Sequence, residues 1–557
     1  ASDVYKRQVS ARIRVDNTDN TYQQKLYAST ISTLTEGSTQ GHYTIQKVNE
    51  TQTYADFMVN INKRIDDFTV VVNAGTSLSD NSSDLLGYGG PIRDTGVPNV
   101  FNVFDLDNAK KRATQEGWEE MTQSIFASAE IGWKSMLYLT LTGRNDWASQ
   151  LANSPQKSFF YPSVGVSWLP SSTFNFPEKF NYLKIRASWA SVANPFPREL
   201  TIATHPYDDT ISGWDDKSNY PIGQLYPERT KTWELGFDAR FLHGFTLSAS
   251  WYRADTYNQT FNPNLSASSG YSDIYIQTGH VRNTGVEASL GYDHQWKNWN
   301  WNSQFTFSWN KNKIIELCKE WYNPITEETI TMNRLQISKL GRAKFILKEG
   351  GSMGDLYSTT DLRRDDKGNI EIDEGGNVVV EDNLPDMKLG SVFPDYNLAW
   401  RNSVSWKNLN LGFLVTARIG GIVNSLTQAN MDLFGVSEAT AAARDAGGAL
   451  VNGRSLVNPE TWYTAIASQG GIPQYYTYSA TNVRLQELSL GYTIPRKWLH
   501  NVCSITVSFV GRNLWMMYCK APFDPEAVAS TNNFYQGMDY FMMPSTRNLG
   551  FNINIKF

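Results

Sequence analysis

The residues that most often carry chemistry are few and scattered in this chain. Its 557 residues include 6 His and 3 Cys. The histidines lack the HxxxH and HExxH spacings of a zinc site, and the cysteines form no CxxC pair. No P-loop or GxGxxG string occurs, and nothing in the sequence places two carboxylates together for glycoside hydrolysis. We therefore expect no catalysis and no cofactor.

One acidic segment has a faint likeness to a calcium loop. Residues 361–382 carry several carboxylates around Gly368, among them Asp365 and Asp373. The segment lacks both the D-x-D-x-D-G spacing and the closing bidentate glutamate of such a loop. Its two turn signals, DKGN and EGGN, favour a β-hairpin that protrudes from a longer connection. Calcium is kept as the less favoured alternative.

Aromatic and acidic residues in the long connections could bind a polar ligand. Aromatic faces stack on the apolar faces of sugar rings, and carboxylates hydrogen-bond to hydroxyl groups. Each of these residues alone could equally pack one loop against another or against a partner. As a set, we expect them to contribute to substrate binding: Trp214, Asp215, Asp216, Trp321, Tyr322, Trp462, Tyr463, Tyr475 and Tyr476.

The elements that would position these loops alternate with a period of two residues. In the final stretch, Leu549, Phe551, Ile553, Ile555 and Phe557 alternate with polar residues or glycine. Such a pattern puts every apolar side chain on one face of a strand. About fifteen segments of this kind follow Tyr54, most near the ~9–11 residues with which a tilted strand crosses a bilayer. The pattern predicts an all-β, antiparallel chain.

Loop lengths favour a transmembrane barrel over a soluble sandwich. Connections such as 243–244 and 294–297 are short, whereas 193–229, 313–395 and 422–481 are long, and the two kinds alternate along the chain. Short turns at one rim and long loops at the other are typical of up-and-down outer-membrane barrels. A β-sandwich has no reason to sort loop lengths in this way.

Composition agrees with that prediction. The net charge of −5 without a Lys/Arg block argues against a nucleic-acid partner. A mean hydropathy of −0.42, with no apolar run near 18 residues, excludes transmembrane helices. The 18 Trp and 28 Tyr would fit aromatic girdles at the two lipid–water interfaces.

Several stretches in a fixed order resemble the SusC/RagA-type TonB-dependent transporters of Bacteroidetes outer membranes. The stretches that carry the resemblance are LTLTGRNDW (139–147), YPSVGVSWLP (161–170), LKIRASWASVANP (183–195), ERTKTWELGFDARFLHGFTLSASWYRADT (228–256), VRNTGVEASLGY (281–292), FPDYNLAWRNSVSWKNLNLGFLVTARIGG (393–421), NVRLQELSLGYTIPRKWL (482–499) and VSFVGRNLWMMYCKAPFDPE (507–526).

The resemblance implies a fold, a function and partners. It implies a barrel of about 22 strands, of which about 15 lie in residues 41–557. It also implies import of oligosaccharides or peptides across the outer membrane, with a SusD-like lipoprotein over the barrel mouth. TonB–ExbBD would supply energy, and the barrel assembly machinery would read the terminal signal Phe551, Ile553, Ile555 and Phe557.

The N-terminal part departs from the family pattern. Residues 1–8 are interpreted as a scar or an assembly junction, and residues 1–40 as a truncated leading segment. The plug and the TonB box of the family are expected to lie upstream. An open sheet of this size would expose two long edges in lipid, so the piece should not insert alone.

Two other functions remain open from the sequence. A soluble all-β protein that binds or degrades glycans would also show alternating strands. A passive porin would share the barrel but would need neither a plug nor a TonB box.

Overall fold

A computed structural model describes residues 6–198, 200, 207–208, 213–214, 219–220, 225–261, 273–277, 279–323, 327–530 and 535–557. Sixteen of its strands form one sheet in which spatial order follows chain order. They are β1 (Lys6–Leu26), β2 (His42–Ile65), β3 (Phe68–Pro91), β4 (Arg112–Trp133), β5 (Leu137–Ala148), β6 (Phe159–Trp168), β7 (Phe180–Asn194), β8 (Glu228–Phe241), β9 (Phe245–Tyr257), β10 (His280–Gln295), β11 (Trp299–Glu316), β12 (Tyr396–Trp406), β13 (Leu409–Ile419), β14 (Asn482–Ile494), β15 (Ser504–Cys519) and β16 (Asn548–Lys556).

The predicted fold class is confirmed: the chain is all-β and its large sheet is antiparallel. β2 and β3, for example, pair in continuous register from His42↔Pro91 to Ile65↔Phe68. A two-residue turn joins these strands, and Asp66 adopts the positive φ of 49° that such a tight turn favours. Among the described strands, β1 and β16 are the edges of the sheet.

The first strands are longer than the sequence pattern suggested. β2 and β3 have 24 residues each, and the stretch 79–91, which does not alternate regularly, pairs as strand. β1 pairs with β2 from Lys6 to Leu26, within the segment expected as a truncated leader. Ladder hydrogen bonds join backbone groups, so strand pairing can continue where side chains do not alternate.

Two compact units divide the chain. The first contains β1 to β5, and the second contains β9 to β16. The second unit also holds the described parts of three long connections, 317–395, 420–481 and 520–545, which together we call the loop body. Within the described ranges, none of the helices is both long and apolar enough to cross a membrane.

The loop body is built from short strands and helices. One four-stranded sheet contains Arg334–Leu340, Ala343–Lys348, Asp355–Ser358 and Met387–Ser391, and a three-stranded sheet contains Ile422–Ser425, Thr477–Ser479 and Met538–Asp539. The remaining short strands pair as Cys318–Asn323 with Glu328–Met332, Asp361–Leu362 with Val380–Glu381, and Ala449–Val451 with Ser455–Val457.

The α-helices are short, and four of them belong to the loop body. They are α1 (Pro170–Thr173), α2 (Leu426–Leu433), α3 (Glu438–Asp445), α4 (Pro459–Ala467) and α5 (Pro473–Tyr476). Side chains cap three of them: Ser425, Ser437 and Asn458 each accept a hydrogen bond from a backbone N–H of the first turn. Such N-caps satisfy donors that have no partner within the helix.

Two apolar cores hold the loop body together. The first contains Phe345, Leu356 and Val392, and the second contains Ile466, Ile472 and Tyr476. Phe345 is 0% exposed. In contrast, large apolar side chains of the sheet, such as Phe305 at 42%, stay exposed on one face. We call this the apolar face and the opposite one the polar face.

Candidate functional site

A cavity of about 660 Å³ lies on the polar face of the second unit. Alternation explains its lining, because residues at every second position of β9, β10 and β11 point to that face. Half of its polar lining residues carry hydroxyl groups: Ser248, Ser250, Ser289, Thr306, Ser308 and Thr416. Such a wall can donate and accept hydrogen bonds without carrying charge.

The lining also contains four charged residues, Arg186, Glu287, Arg418 and Glu526, and two amides, Asn397 and Gln486. Arg186 on β7 donates to Asp238 across 2.9 Å and lies 3.5 Å from Glu234. Ser248 donates to the other oxygen of Asp238 across 2.7 Å. These contacts fix the Arg186 guanidinium at the cavity wall, and the charges of the lining balance.

One hydrogen-bond donor of Arg418 is left without a partner among the described residues. Arg418 lies near the end of β13, where its Nη2 donates to the carbonyl oxygen of Val392 across 2.9 Å. Its Nε is buried and has no hydrogen-bond partner among the described residues. A buried donor without a partner is costly, so an acceptor group that reached Nε from the cavity would be favoured.

A buried ion pair fixes the segment beside the cavity. Arg484 donates to both carboxylate oxygens of Asp524, at 3.1 and 2.8 Å, and its Nη2 lies 3.2 Å from Glu526. Two register shifts in β14, at Val483/Arg484 and Leu485/Glu487, flank Arg484. Asp524 and Glu526 therefore hold the chain after β15 against β14.

The electrostatics of Asp524 match that geometry. Burial alone would raise the pKa of Asp524, but hydrogen bonds from Arg484 and from the backbone N–H of Glu526 outweigh it. The pKa of Asp524 therefore lies below its ordinary value, and its carboxylate is charged at neutral pH.

Four of the aromatic residues expected to bind substrate come together in the loop body. Trp462 and Tyr463 lie on α4, and Tyr475 and Tyr476 on α5. The rings of Trp462 and Tyr475 meet edge to face, with centroids 5.9 Å apart. Tyr476 is 2% exposed, and its hydroxyl donates to Asp432 across 3.0 Å. Tyr476 therefore packs the core, with its ring away from the surface.

Tyr463 has a different environment. It lines a separate cavity of about 420 Å³ together with Asp432 and Arg444. Burial, followed by the nearby charge of Asp432, raises the pKa of Tyr463 above its ordinary value. The same two causes raise the pKa of Tyr476, so both phenols are neutral donors at physiological pH.

The other residues of the expected set belong to other segments of the chain. The backbone of Trp214 pairs in a two-residue strand with Tyr207–Asp208, while Asp215 and Asp216 lie outside the described residues. Trp321 and Tyr322 belong to the separate hairpin that begins at Cys318, and Tyr322 is exposed. Their role in substrate binding stays a prediction.

The acidic segment 361–382 forms the expected hairpin, since Asp361↔Glu381 and Leu362↔Val380 are paired. In each of its two turns, an aspartate accepts from the backbone and the side chain of an asparagine four residues later, Asp365 from Asn369 and Asp373 from Asn377. Among the described residues, no group of three or more His, Cys, Asp or Glu is arranged to hold a metal ion. Calcium binding stays the less favoured alternative for this segment.

The string GGSMG at 350–354 has the GxSxG spacing of a nucleophile elbow. It connects the strand Ala343–Lys348 to the strand Asp355–Ser358, whereas that motif needs a turn from strand to helix. Ser352 donates to Asn312 across 3.2 Å. The string is a structural turn.

The terminal signal residues occupy the edge strand. Phe551, Ile553 and Ile555 pair with Phe509, Val507 and Ile505, and Phe557 follows the strand end. Phe557 is exposed, as is Phe551.

Sequence reasoning missed the charged wall of the cavity. Arg186 and Arg418 stand at polar-face positions that alternate with apolar residues, in LKIRASW and LVTARIG. Charged residues that alternate with apolar ones at membrane level face the lumen of a barrel, so the signal was present in the alternation.

Comparisons with known proteins agree with this fold. The family described as TonB dependent receptor-like, beta-barrel matches residues 2–514. The chain therefore belongs to this β-barrel family. Its resemblance to the SusC/RagA type is confirmed by the relatives below, and membership in a receptor family agrees with the expectation of no catalysis.

Two curated relatives are similar over much of the chain. TonB-dependent receptor P3 of Formosa agariphila is 27% identical over 473 residues, which are 78% of this chain and 45% of that protein. TonB-dependent receptor SusC of Bacteroides thetaiotaomicron is 21% identical over 404 residues, 67% of this chain and 38% of that protein. The chain thus spans less than half the length of these relatives.

A solved structure shows the same fold. The RagAB peptide importer in its open-open state superposes with a TM-score of 0.76 at 17% identity, over 99% of this chain and 59% of that one.

Proposed function

We propose that this chain is the C-terminal part of the barrel of an outer-membrane, TonB-dependent importer of the SusC type. The solute would be an oligosaccharide or a peptide, and a SusD-like lipoprotein would cover the loop body. TonB, energised by ExbBD, would act on a plug encoded upstream of residue 1. Family membership and the similarity to SusC and to the RagAB peptide importer support this proposal.

The observation that carries the proposal is the cavity on the polar face. Its hydroxyl wall and balanced charges suit a neutral, polar solute with many hydroxyl or amide groups. The cavity lies mid-strand on β10 and β11, and on β12 and β13 it reaches the ends from which long connections leave. Solute from the loop body would enter it from those ends.

Uptake by the full-length protein tests the proposal. Ser308→Trp places a large ring in the cavity, whereas Phe305→Trp changes the apolar face of the same strand and serves as the control. We expect uptake of the cognate oligosaccharide or peptide to fall about tenfold or more in the first variant and to stay at the wild-type level in the second. Heat-modifiable migration in detergent gels checks that both variants still form a barrel.

The same assay in a strain without TonB separates energised import from passive diffusion. Uptake should cease in that strain. Uptake that continues there would contradict the proposal and would favour the porin. A wild-type protein recovered from the soluble fraction, without heat-modifiable migration, would instead favour a soluble glycan-binding protein.

A further inference from the structure

The apolar face of β9, β10 and β11 is organised in rows that cross the three strands. Directly paired residues share a face, and their Cβ atoms lie about 4.5–5.5 Å apart. One row contains Leu247, Leu290 and Phe305, and the row two pairs further contains Trp251, Val286 and Trp309. The second of these rows continues to Tyr396 on β12. An aliphatic band is therefore bordered by a row of aromatic side chains.

Cationic side chains follow immediately beyond the aromatic row. The next row on the same face contains Arg253, Thr284 and Lys311, and the row after it contains Asp255, Arg282 and Lys313. Lys311 and Lys313 are exposed. The side chains on this face therefore change from aromatic to charged between one row and the next.

An ion cluster orders the two arginines. Asp255 accepts from the Nε of Arg282 across 2.7 Å and from the Nε of Arg253 across 2.9 Å. The ring of His280 also contacts this carboxylate. Because both arginines bind Asp255 through Nε, their terminal nitrogens can point outward to a second anion.

The cations outnumber the carboxylates on this part of the face. Lys231 on β8 adds a further ammonium, 5.3 Å from the ring centre of Tyr257. The acids are Asp255 and, opposite His280, Glu316. Among the described residues around this ion cluster, five cations face two carboxylates, so the patch attracts an anion. We call Lys231, Arg253, Arg282, Lys311 and Lys313 the cation rows.

The cation rows lie at the rim that carries the long connections. β8 and β9, and likewise β10 and β11, are joined by short turns at the opposite ends, at residues 242–244 and 296–298. In outer-membrane barrels the long loops face the outside, and aromatic girdles mark the lipid–water interface. The cation rows therefore stand at the headgroup level of the outer leaflet, with the aromatic row just inside the membrane.

We propose that the cation rows bind the phosphate groups of a phosphorylated lipid of the outer leaflet. The acyl chains would lie along the aliphatic band, and the guanidinium and ammonium groups would bind the phosphate oxygens. If no apolar surface adjoined the cation rows, a free anion such as phosphate would be the better ligand. The continuity of the cation rows with the aromatic row favours an anionic amphiphile. The site rests on outer-membrane placement and is independent of the transported solute.

Lipid binding to the purified full-length protein tests this site, with diphosphoryl lipid A and its dephosphorylated form as probes. Native mass spectrometry would measure the bound fraction of each. We expect the wild-type protein to bind the phosphorylated lipid about tenfold more tightly, because each lysine near an anionic headgroup contributes. Equal binding of the two lipids would overturn the proposal without any variant.

Two double variants locate the site. Lys311→Gln with Lys313→Gln removes two charges from the cation rows, and Lys297→Gln with Lys407→Gln removes two from the short-turn rim. The first should lower binding of diphosphoryl lipid A about tenfold, whereas the second should bind it as the wild type does. Unchanged binding in the first variant, or an equal loss in both, would contradict the assignment.

Discussion

The sheet and the loop body of the second unit place their apolar side chains in opposite ways. In the loop body, Phe345 is 0% exposed, and Leu356 and Val392 pack around it. In the sheet, Phe305 is 42% exposed, although it belongs to a strand paired on both sides. The same residue type is a core residue in one region and a surface residue in the other.

The difference reflects two solvents. The loop body must remove its apolar surface from water and therefore builds cores like those of a soluble domain. In the proposed outer-membrane barrel, lipid tails would cover the apolar face of the sheet, which therefore needs no such core, and the polar side chains gather around the cavity. Apolar side chains are therefore buried in the loop body and exposed on the sheet, and the change from one arrangement to the other occurs at strand ends.

Matched phenylalanine truncations should produce the largest difference between the regions. Phe345→Ala leaves a cavity in a closed core and should destabilise the loop body by about 3–5 kcal/mol. Phe305→Ala removes a ring that lipid can replace and should cost far less. Hydrogen exchange of amides in the full-length protein measures both. Equal loss of protection in the two variants would contradict the two-solvent account.

A lysine introduced at two adjacent positions of β11 should give the next largest difference in stability, because the two positions face opposite sides of the sheet. Phe305 and Thr306 follow each other on β11 but point to opposite faces, and Thr306 lines the cavity. Phe305→Lys should destabilise the barrel in lipid by about 2–4 kcal/mol if it lies near the midplane. Thr306→Lys should be tolerated, since its ammonium reaches the polar cavity. Urea-induced unfolding in liposomes gives both values, and a cost that is the same for both would argue that Phe305 faces water.

Acid should affect the loop body before the sheet. Hydrogen bonds from Arg334, at 2.6 and 2.9 Å, and from Lys348 hold the pKa of Asp386 well below its ordinary value. Because this pKa is depressed on folding, the stabilisation is complete above the ordinary pKa near 3.8 and is lost as pH falls through the lower folded value.

Asp386→Asn should therefore cost about 1–2 kcal/mol at neutral pH, after allowance for the partly exposed Arg334, and should flatten the acid dependence. Glu487→Gln serves as the control, because the Arg512–Glu487 pair of the sheet is 66% and 31% exposed and contributes at most about 1 kcal/mol. Thermal shift of the loop body between pH 3 and 7 measures the effect. An acid dependence that survives in Asp386→Asn would assign it to another group.

The alternating strands were predictable because successive side chains of a strand point to opposite faces, one apolar and one polar. Strand β16 shows this from its letters alone, and so do the β8–β9 hairpin and the short turn at 242–244. The polar extension of β3 was not predictable in the same way. Residues 79–91 pair through backbone groups, which leave no mark on side-chain type.

The candidate site was predictable only in part. The aromatic residues of α4 and α5 were singled out, but their sequence could not show that Tyr476 would be buried against Asp432. The approach of Arg484 to Asp524 joins residues 40 positions apart, beside two register shifts between β14 and β15. Such contacts arise from register and loop folding, which local patterns do not encode.

The sequence by itself determined the all-β class, the two faces of each strand and the alternation of short and long connections, because these follow from the period of a strand and from the solvent on each side. The tertiary structure alone decided which charges meet. Cross-strand register placed Lys313 beside Arg282 and brought Arg418 to the cavity, since side chains far apart in the chain become neighbours only after the strands have paired.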